Sequence, residues 1–249
     1  MATMRAMDGT FTFGATEIPF KSYSINSTAK TVDVTNNNTV GGGIERKTLR
    51  VTHEIDVSGN HLVGGDEGTG KAVIFSLNSV AYPTTDLSYE ETFETGEVTS
   101  GATTAGQTDH KAYKADRKFT ASFWGDDTVA FPLAGATEAA VLGTFMTGCT
   151  FACSTAALDN VKHDGEIKGD VKLSVSGFCN GTVTETGLGV TGGTSDTALI
   201  TFKEGATLDK SLTGTAYLVS KKITTNIDGA IEISYKFLFS GGVTASQAN

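Results

Sequence analysis

The 249-residue sequence carries 19 Lys+Arg against 28 Asp+Glu, a formal net charge of −9, with 30 glycines and 3 prolines. Hydrophobic content of 39% excludes a disordered chain, and so few prolines exclude a collagen-like or linker composition. No apolar run approaches the roughly 20 residues of a membrane helix, and an acidic chain without a basic run is a poor grip for nucleic acid.

In chain order, the first residues, MATMRAMDGTFTFG, show no apolar stretch after Arg5, so no secretory signal is expected. Residues 36–43, NNNTVGGG, read as a loop. In 49–57, LRVTHEIDV, Leu49, Val51, Ile55 and Val57 face one way with His53, while Arg50, Thr52, Glu54 and Asp56 face the other. That alternation predicts a strand with one wet face. Residues 65–72 match the start of a phosphate-binding loop, GxxxxGK. The match fails chemically: Ala72 stands where Ser or Thr would ligate Mg²⁺, and strand-like alternation follows instead of a helix. The segment reads as a connection.

The period-2 pattern returns at 118–124, 170–175 and 230–239, where Ile231, Ile233, Tyr235, Phe237 and Phe239 share a face. Two segments predict short helices. In 137–148, Thr137 can cap the start, Ala140, Val141, Leu142, Phe145 and Met146 form a stripe, and Gly148 suits the stop. Residues 207–214 repeat that form, with Leu208 and Leu212 four apart and Gly214 last. The expected fold is mainly β with short flanking α-helices.

The chain also resembles itself. Phe13 and Phe75, Ile18 and Val80, Phe20 and Tyr82, and Ile25 and Leu87 all match at one constant offset. Residues 164–177 align without a gap on 228–241. The units run A (8–58), A (70–127), B (134–184), B (197–246), not A, B, A, B. This order predicts one complete module, 70–184, inserted into another split between 1–58 and 197–249, with linkers at 59–69 and 185–196. Each module is expected to be a β-sandwich or half-barrel.

No catalytic chemistry is legible. The four histidines sit in strands, loops or beside a turn, no G-x-S-x-G elbow is present, and Glu90-Glu91 and Asp126-Asp127 read as solvated charges. Cys149, Cys153 and Cys179 lack the regular second pair a zinc site needs and read as buried small hydrophobes. No enzyme, metal or cofactor is expected. Trp124, the single tryptophan, has strand parity opposite Phe119, Ala121 and Phe123 and reads as an intersubunit anchor ahead of a ligand-binding aromatic.

The order of these segments resembles phage tail tube proteins, the major tail protein family. The opening GTFTFGATEIPFKSYSINSTAKTVDVTN resembles that family's strand, turn, long strand and polar loop. The strand ERKTLRVTHEIDV, the segment TEAAVLGTFMTG and the closing LTGTAYLVSKKITTNIDGAIEISYKFLFSG continue the likeness. The departure is the doubling, since a typical member carries one A and one B unit. The resemblance implies a structural virion protein whose rings stack into a tube that DNA crosses in transit, without specific binding. Two modules per chain imply three chains per ring with pseudo-sixfold symmetry. Partners would be the chain itself and other tail proteins at the tube ends, with no membrane; its place would be the virion tail, and the host cytoplasm during assembly.

On this reading Arg50, Thr52, Glu54, Asp56, Thr120, Ser122, Glu232 and Ser234 face the lumen. The loops holding Asn36, Asn37, Asn38, Gly41, Gly42 and Gly43, and Thr103, Thr104 and Gln107, order against the next ring. Competing readings are a tail-tip ring or head decoration protein, and a cell-surface β-sandwich module that binds glycans.

Overall fold

The computed structural model describes residues 5–34, 44, 46–60, 62–63, 66–67, 73–99, 108–125, 132–138, 141–165, 171–193, 195–204, 208–226 and 230–247. Strands account for nearly all regular structure. The first part of the chain forms β1 (Arg5–Phe13), β2 (Thr16–Glu17), β3 (Ser22–Asp33), β4 (Arg46–Asn60), β5 (Leu62–Val63) and β6 (Asp66–Glu67). Next come β7 (Ile74–Leu77), β8 (Val80–Tyr82), β9 (Thr84–Glu97), β10 (His110–Trp124), β11 (Thr137–Glu138), β12 (Val141–Met146) and β13 (Cys149–Cys153). The last are β14 (Ala156–Asp164), β15 (Lys172–Cys179), β16 (Val183–Thr186), β17 (Ser195–Glu204), β18 (Leu208–Asn226) and β19 (Glu232–Gln247).

Eight strands lie side by side, all antiparallel, in the order β14-β15-β10-β9-β18-β19-β4-β3. This wall is the larger part of a 12-stranded sheet. β18 and β19 outrun the wall. Their far ends pair with each other, Lys210 opposite Gln247 and Gly214 opposite Val243, and β18 continues sideways to β17, β1 and β2. A separate five-stranded sheet runs β16-β13-β12-β7-β8, and β5 pairs with β6 alone.

Alternation explains why these residues form a wall with layers behind it. Phe119, Ala121 and Phe123 of β10, Leu173 and Val175 of β15, and Ile233, Tyr235 and Phe237 of β19 are buried, and the residues between them are not. The buried faces meet their counterparts behind the wall through aromatic rings. Phe11 packs on Phe237 at 5.1 Å, Phe75 on Phe119 at 5.5 Å, and Phe151 stacks on Tyr89 at 4.6 Å between centroids. One hydrophobic cluster runs through both backing layers, as expected of a sandwich.

The two expected helices are corrected to strands. Residues 141–146 form β12, whose Val141, Gly143 and Phe145 point inward and whose Leu142, Thr144 and Met146 point outward. Positions four apart share a face in a strand as well as in a helix, so the stripe could not decide between them. The Phe151 ring lies against the missing side chain of Gly143, a close approach that only glycine permits. Gly148, with φ of 82°, belongs to the turn between β12 and β13 and not to a helix stop. In 207–214 the described residues open the long strand β18, with Leu212 opposite Ile200 of β17.

Candidate assembly interface

The wall turns a polar face to solvent. Thr120 and Ser122 on β10, Glu232 and Ser234 on β19 and Asp56 on β4 all sit on it, between the buried residues of their strands. Arg50, Thr52 and Glu54 share the parity of Asp56 but are half-buried. Ser and Thr dominate this face, and several of its charges are paired. Lys236 meets Glu54 at 3.1 Å, Lys172 meets Asp86 at 3.4 Å, and Arg50 pairs with Glu97. The Ser122 and Ser174 hydroxyls lie 3.1 Å apart, and Ser24 donates to Asp56 at 3.3 Å. Trp124 ends β10, 45% exposed, with its backbone N–H on the Pro83 carbonyl at 3.1 Å. Asn36, Asn37, Asn38, Gly41, Gly42, Gly43, Thr103, Thr104 and Gln107 lie outside the described residues, as does Asp126-Asp127.

At the centre of the wall, β9 meets β18 in seven opposed pairs, from Thr92 with Ser220 to Asp86 with Asn226. The middle of this junction holds a buried ion cluster. Lys221 is 0% exposed and lies opposite Glu91, which is 3% exposed. Lys221 Nζ is 3.7 Å from Glu91 Oε2, pairs with Glu185 of β16, and donates to the Val190 carbonyl at 3.2 Å. Arg117 Nε donates to Glu91 Oε1 at 2.6 Å, and Tyr89 donates its hydroxyl to Glu185 at 2.8 Å.

Burial pushes the Glu91 carboxyl above its ordinary range, helped by repulsion from Glu185 and opposed by Lys221 and Arg117. Burial likewise raises the Tyr89 phenol, reinforced by the two carboxylates. Desolvation pulls the Arg117 guanidinium down, but its bond to Glu91 and the charges of Glu91, Tyr89 and Glu185 together move it up. Glu91 is thus not the solvated charge expected from Glu90-Glu91. Its parity with Leu87, Tyr89 and Phe93 was the available signal, and Lys221 carries the same mark two residues before Ile223. The loop after β16 seals the cluster, with Leu188 and Val190 in the core.

Among the described residues, the wall ends at β3 on one side and β14 on the other. β3 pairs with β4 on one side and with no described strand on the other. Apart from half-buried Tyr23, its residues are exposed, Ile25 among them at 36%. β14 pairs with β15, and among the described residues its other side meets β11, at Ala156 and Ala157, and the backbone of Gly135 and Ala136, at Leu158. From Asp159 to Asp164 it is exposed except for half-buried Val161. Neither edge carries a proline, and both are long enough to template another strand.

Little else here resembles a reaction centre. Ser27 Oγ lies 2.8 Å from His53 Nδ1, but the two are directly opposed partners on β3 and β4. Cys153 donates to the Thr155 carbonyl at 2.7 Å, and no metal-ligating cluster occurs among the described residues. No described helix is long and apolar enough to cross a membrane. Neither a family model nor a curated protein sequence matches the chain.

Proposed function

We propose that the chain is a structural subunit whose copies join edge to edge into rings, stacked as a phage tail tube through which DNA passes in transit. In this reading residues 1–58 with 197–249 and residues 70–184 are two copies of one module. The observation that carries it is that the strand pairings of the two match. The hairpin turn between Phe13 and Thr16 has its counterpart between Leu77 and Val80, each two residues long. Phe11 faces Ile18 as Phe75 faces Tyr82, and Ile25 faces Ile55 as Tyr89 faces Phe119, all four counterparts at a single offset along the chain. The irregularity between Leu158 and Asn160 of β14 matches that between Leu218 and Ser220 of β18, both ends at a second, equally constant offset. Cys179 faces Ala156 as Phe239 faces Ala216, at that same second offset.

Under that correspondence β14-β15-β10-β9 is one module's share of the wall and β18-β19-β4-β3 the other's. The central junction then joins the counterparts of the two open edges, so the wall already contains one copy of the contact that would extend it. Three copies of an eight-strand wall set 24 strands around a channel. At a spacing of about 4.8 Å and a tilt of about 40°, they close a circle roughly 48 Å across at the backbone. A bore of that size, lined by Ser, Thr and charges of both signs, lets an anionic duplex slide because its described residues form no continuous cationic stripe.

Electron microscopy of the purified protein, with native mass measurement of its rings, tests this. The expected result is stacked rings of three chains showing approximate sixfold symmetry. Six chains per ring, or a monomer at all concentrations, overturns it.

A further inference from the structure

We infer that the exposed edge of β3 in one copy pairs with the exposed edge of β14 in the next, antiparallel, with Thr28 opposite Asn160, Asn26 opposite Lys162 and Ser24 opposite Asp164. The partner is a second copy of this chain, and the inference rests on the tube reading for its source of symmetry. The register follows from the internal junction. There Thr92 faces Ser220, Glu90 faces Lys222 and Ser88 faces Thr224. Thr92 is the counterpart of Thr28 and Ser220 that of Asn160. The same two module offsets carry Glu90 to Asn26, Lys222 to Lys162, Ser88 to Ser24 and Thr224 to Asp164.

Three further observations favour this pairing. An antiparallel wall of eight strands ends in edges that point opposite ways, so joining the two edges preserves the alternation found at each internal contact. The contact is heterologous, which closes into a ring when the rotation per copy allows. Side-chain parity also agrees. Ser24, Asn26 and Thr28 share the polar face with Asp56, and Asn160 and Lys162 share it with Ser176 and Ser174. On the other face, Ile25 comes opposite His163 and diagonal to Val161, which faces Ser27, and loses the exposure it has in the single chain. No like charges are opposed in this register, whereas a slip of four residues would set Lys30 against Lys162.

Cross-linking tests the register. The double variant Asn26→Cys with Lys162→Cys is oxidised after assembly, beside each single variant and the slipped pair Ser24→Cys with Lys162→Cys. These positions are exposed, so the fold should tolerate them; Thr28→Cys with Asn160→Cys is a second pair in the same register. The expected result is covalent oligomers ending at a closed trimer for both matched pairs, and none for the slipped pair or the single variants. Rings that form yet cross-link only in the slipped pair, or in neither matched pair, overturn the register and leave the tube reading standing. Matched cross-links in short open chains that never form tubes support the pairing and remove the tube. Failure to associate at any concentration removes both.

Discussion

The central junction and the two outer edges of the wall share strand geometry but differ in chemistry on the face that backs the wall. Beside the junction of β9 with β18, the bond from Arg117 of β10 to Glu91 of β9 at 2.6 Å is ionic and half-buried, and Lys221 of β18 lies fully buried opposite Glu91. Under the module correspondence the counterparts are His53, Ser27 and Val161, and the cross-strand bond between Ser27 and His53, at 2.8 Å, is neutral and exposed. The proposed association accounts for the difference. A junction made within one chain forms as that chain folds, so charges hidden there specify the pairing without being stripped of water at each encounter. An edge that must meet another molecule does better with neutral, partly apolar groups, because each polar group desolvated on contact weakens association.

The most direct way to break that contrast is to remove the cation at the centre. Lys221→Ala leaves Glu91 and Glu185 facing each other in a closed site, and the expected loss is about 3–5 kcal/mol in urea-induced unfolding. Replacing Lys221, Glu91 and Glu185 together with apolar residues of similar size should recover most of that loss. If Lys221→Ala unfolds at the wild-type urea concentration, the cluster does not hold the junction.

Much of the wall could be read in the sequence, and what could not follows from the period of a strand. The strands at 49–57 and 230–239 were legible because Ile55 and Val57, or Ile233, Tyr235 and Phe237, alternate with polar residues. The same period hides register. Aligning Phe13 with Phe75 and Ile18 with Val80 preserves every inward position, but the hairpin turns match Phe13 to Leu77, two residues further along. It also misleads over helices, since Val141 and Phe145 stand four apart in either form. The ion cluster was missed because residue type was weighed above parity, although Glu91 sits between Tyr89 and Phe93. The open edges were not legible at all. Alternation shows which face a residue takes but not which strand lies beside it.

A smaller effect sharpens the account of the cluster through its pH dependence. The Glu91 carboxyl lies above its ordinary value of 4.5, chiefly through burial. The folded protein therefore binds this proton more tightly than the unfolded chain does. Its contribution to stability is complete below the ordinary carboxylate range and is lost as pH rises through the raised value. Lys221, Arg117, Glu185 and Tyr89 are the groups that face it. Glu91→Gln cannot titrate, so wild-type stability minus variant stability should fall as pH rises from about 4 towards neutrality. Near neutral pH the variant should differ from wild type by roughly 1–2 kcal/mol, through its altered bonds to Arg117 and Lys221. Parallel stability curves for the two proteins would show that Glu91 gains nothing from its protonated form.

The smallest expected change in folding belongs to the edge. Ile25→Ser removes a side chain that is 36% exposed on a strand with one neighbour, and the single chain should lose no more than about 0.5 kcal/mol. Assembly should respond more strongly, because the same side chain loses its remaining exposure when β3 meets β14. Losing that burial weakens each contact by a few-fold and raises the protein concentration at which rings appear, measured by sedimentation, by roughly threefold to tenfold. The two readouts separate the edge from the centre, since Lys221→Ala moves folding first and Ile25→Ser moves association first. A variant at Ile25 that lowers folding stability as much as Lys221→Ala would place the β3 edge inside the cooperative core and leave the contrast between junction and edge without a physical basis.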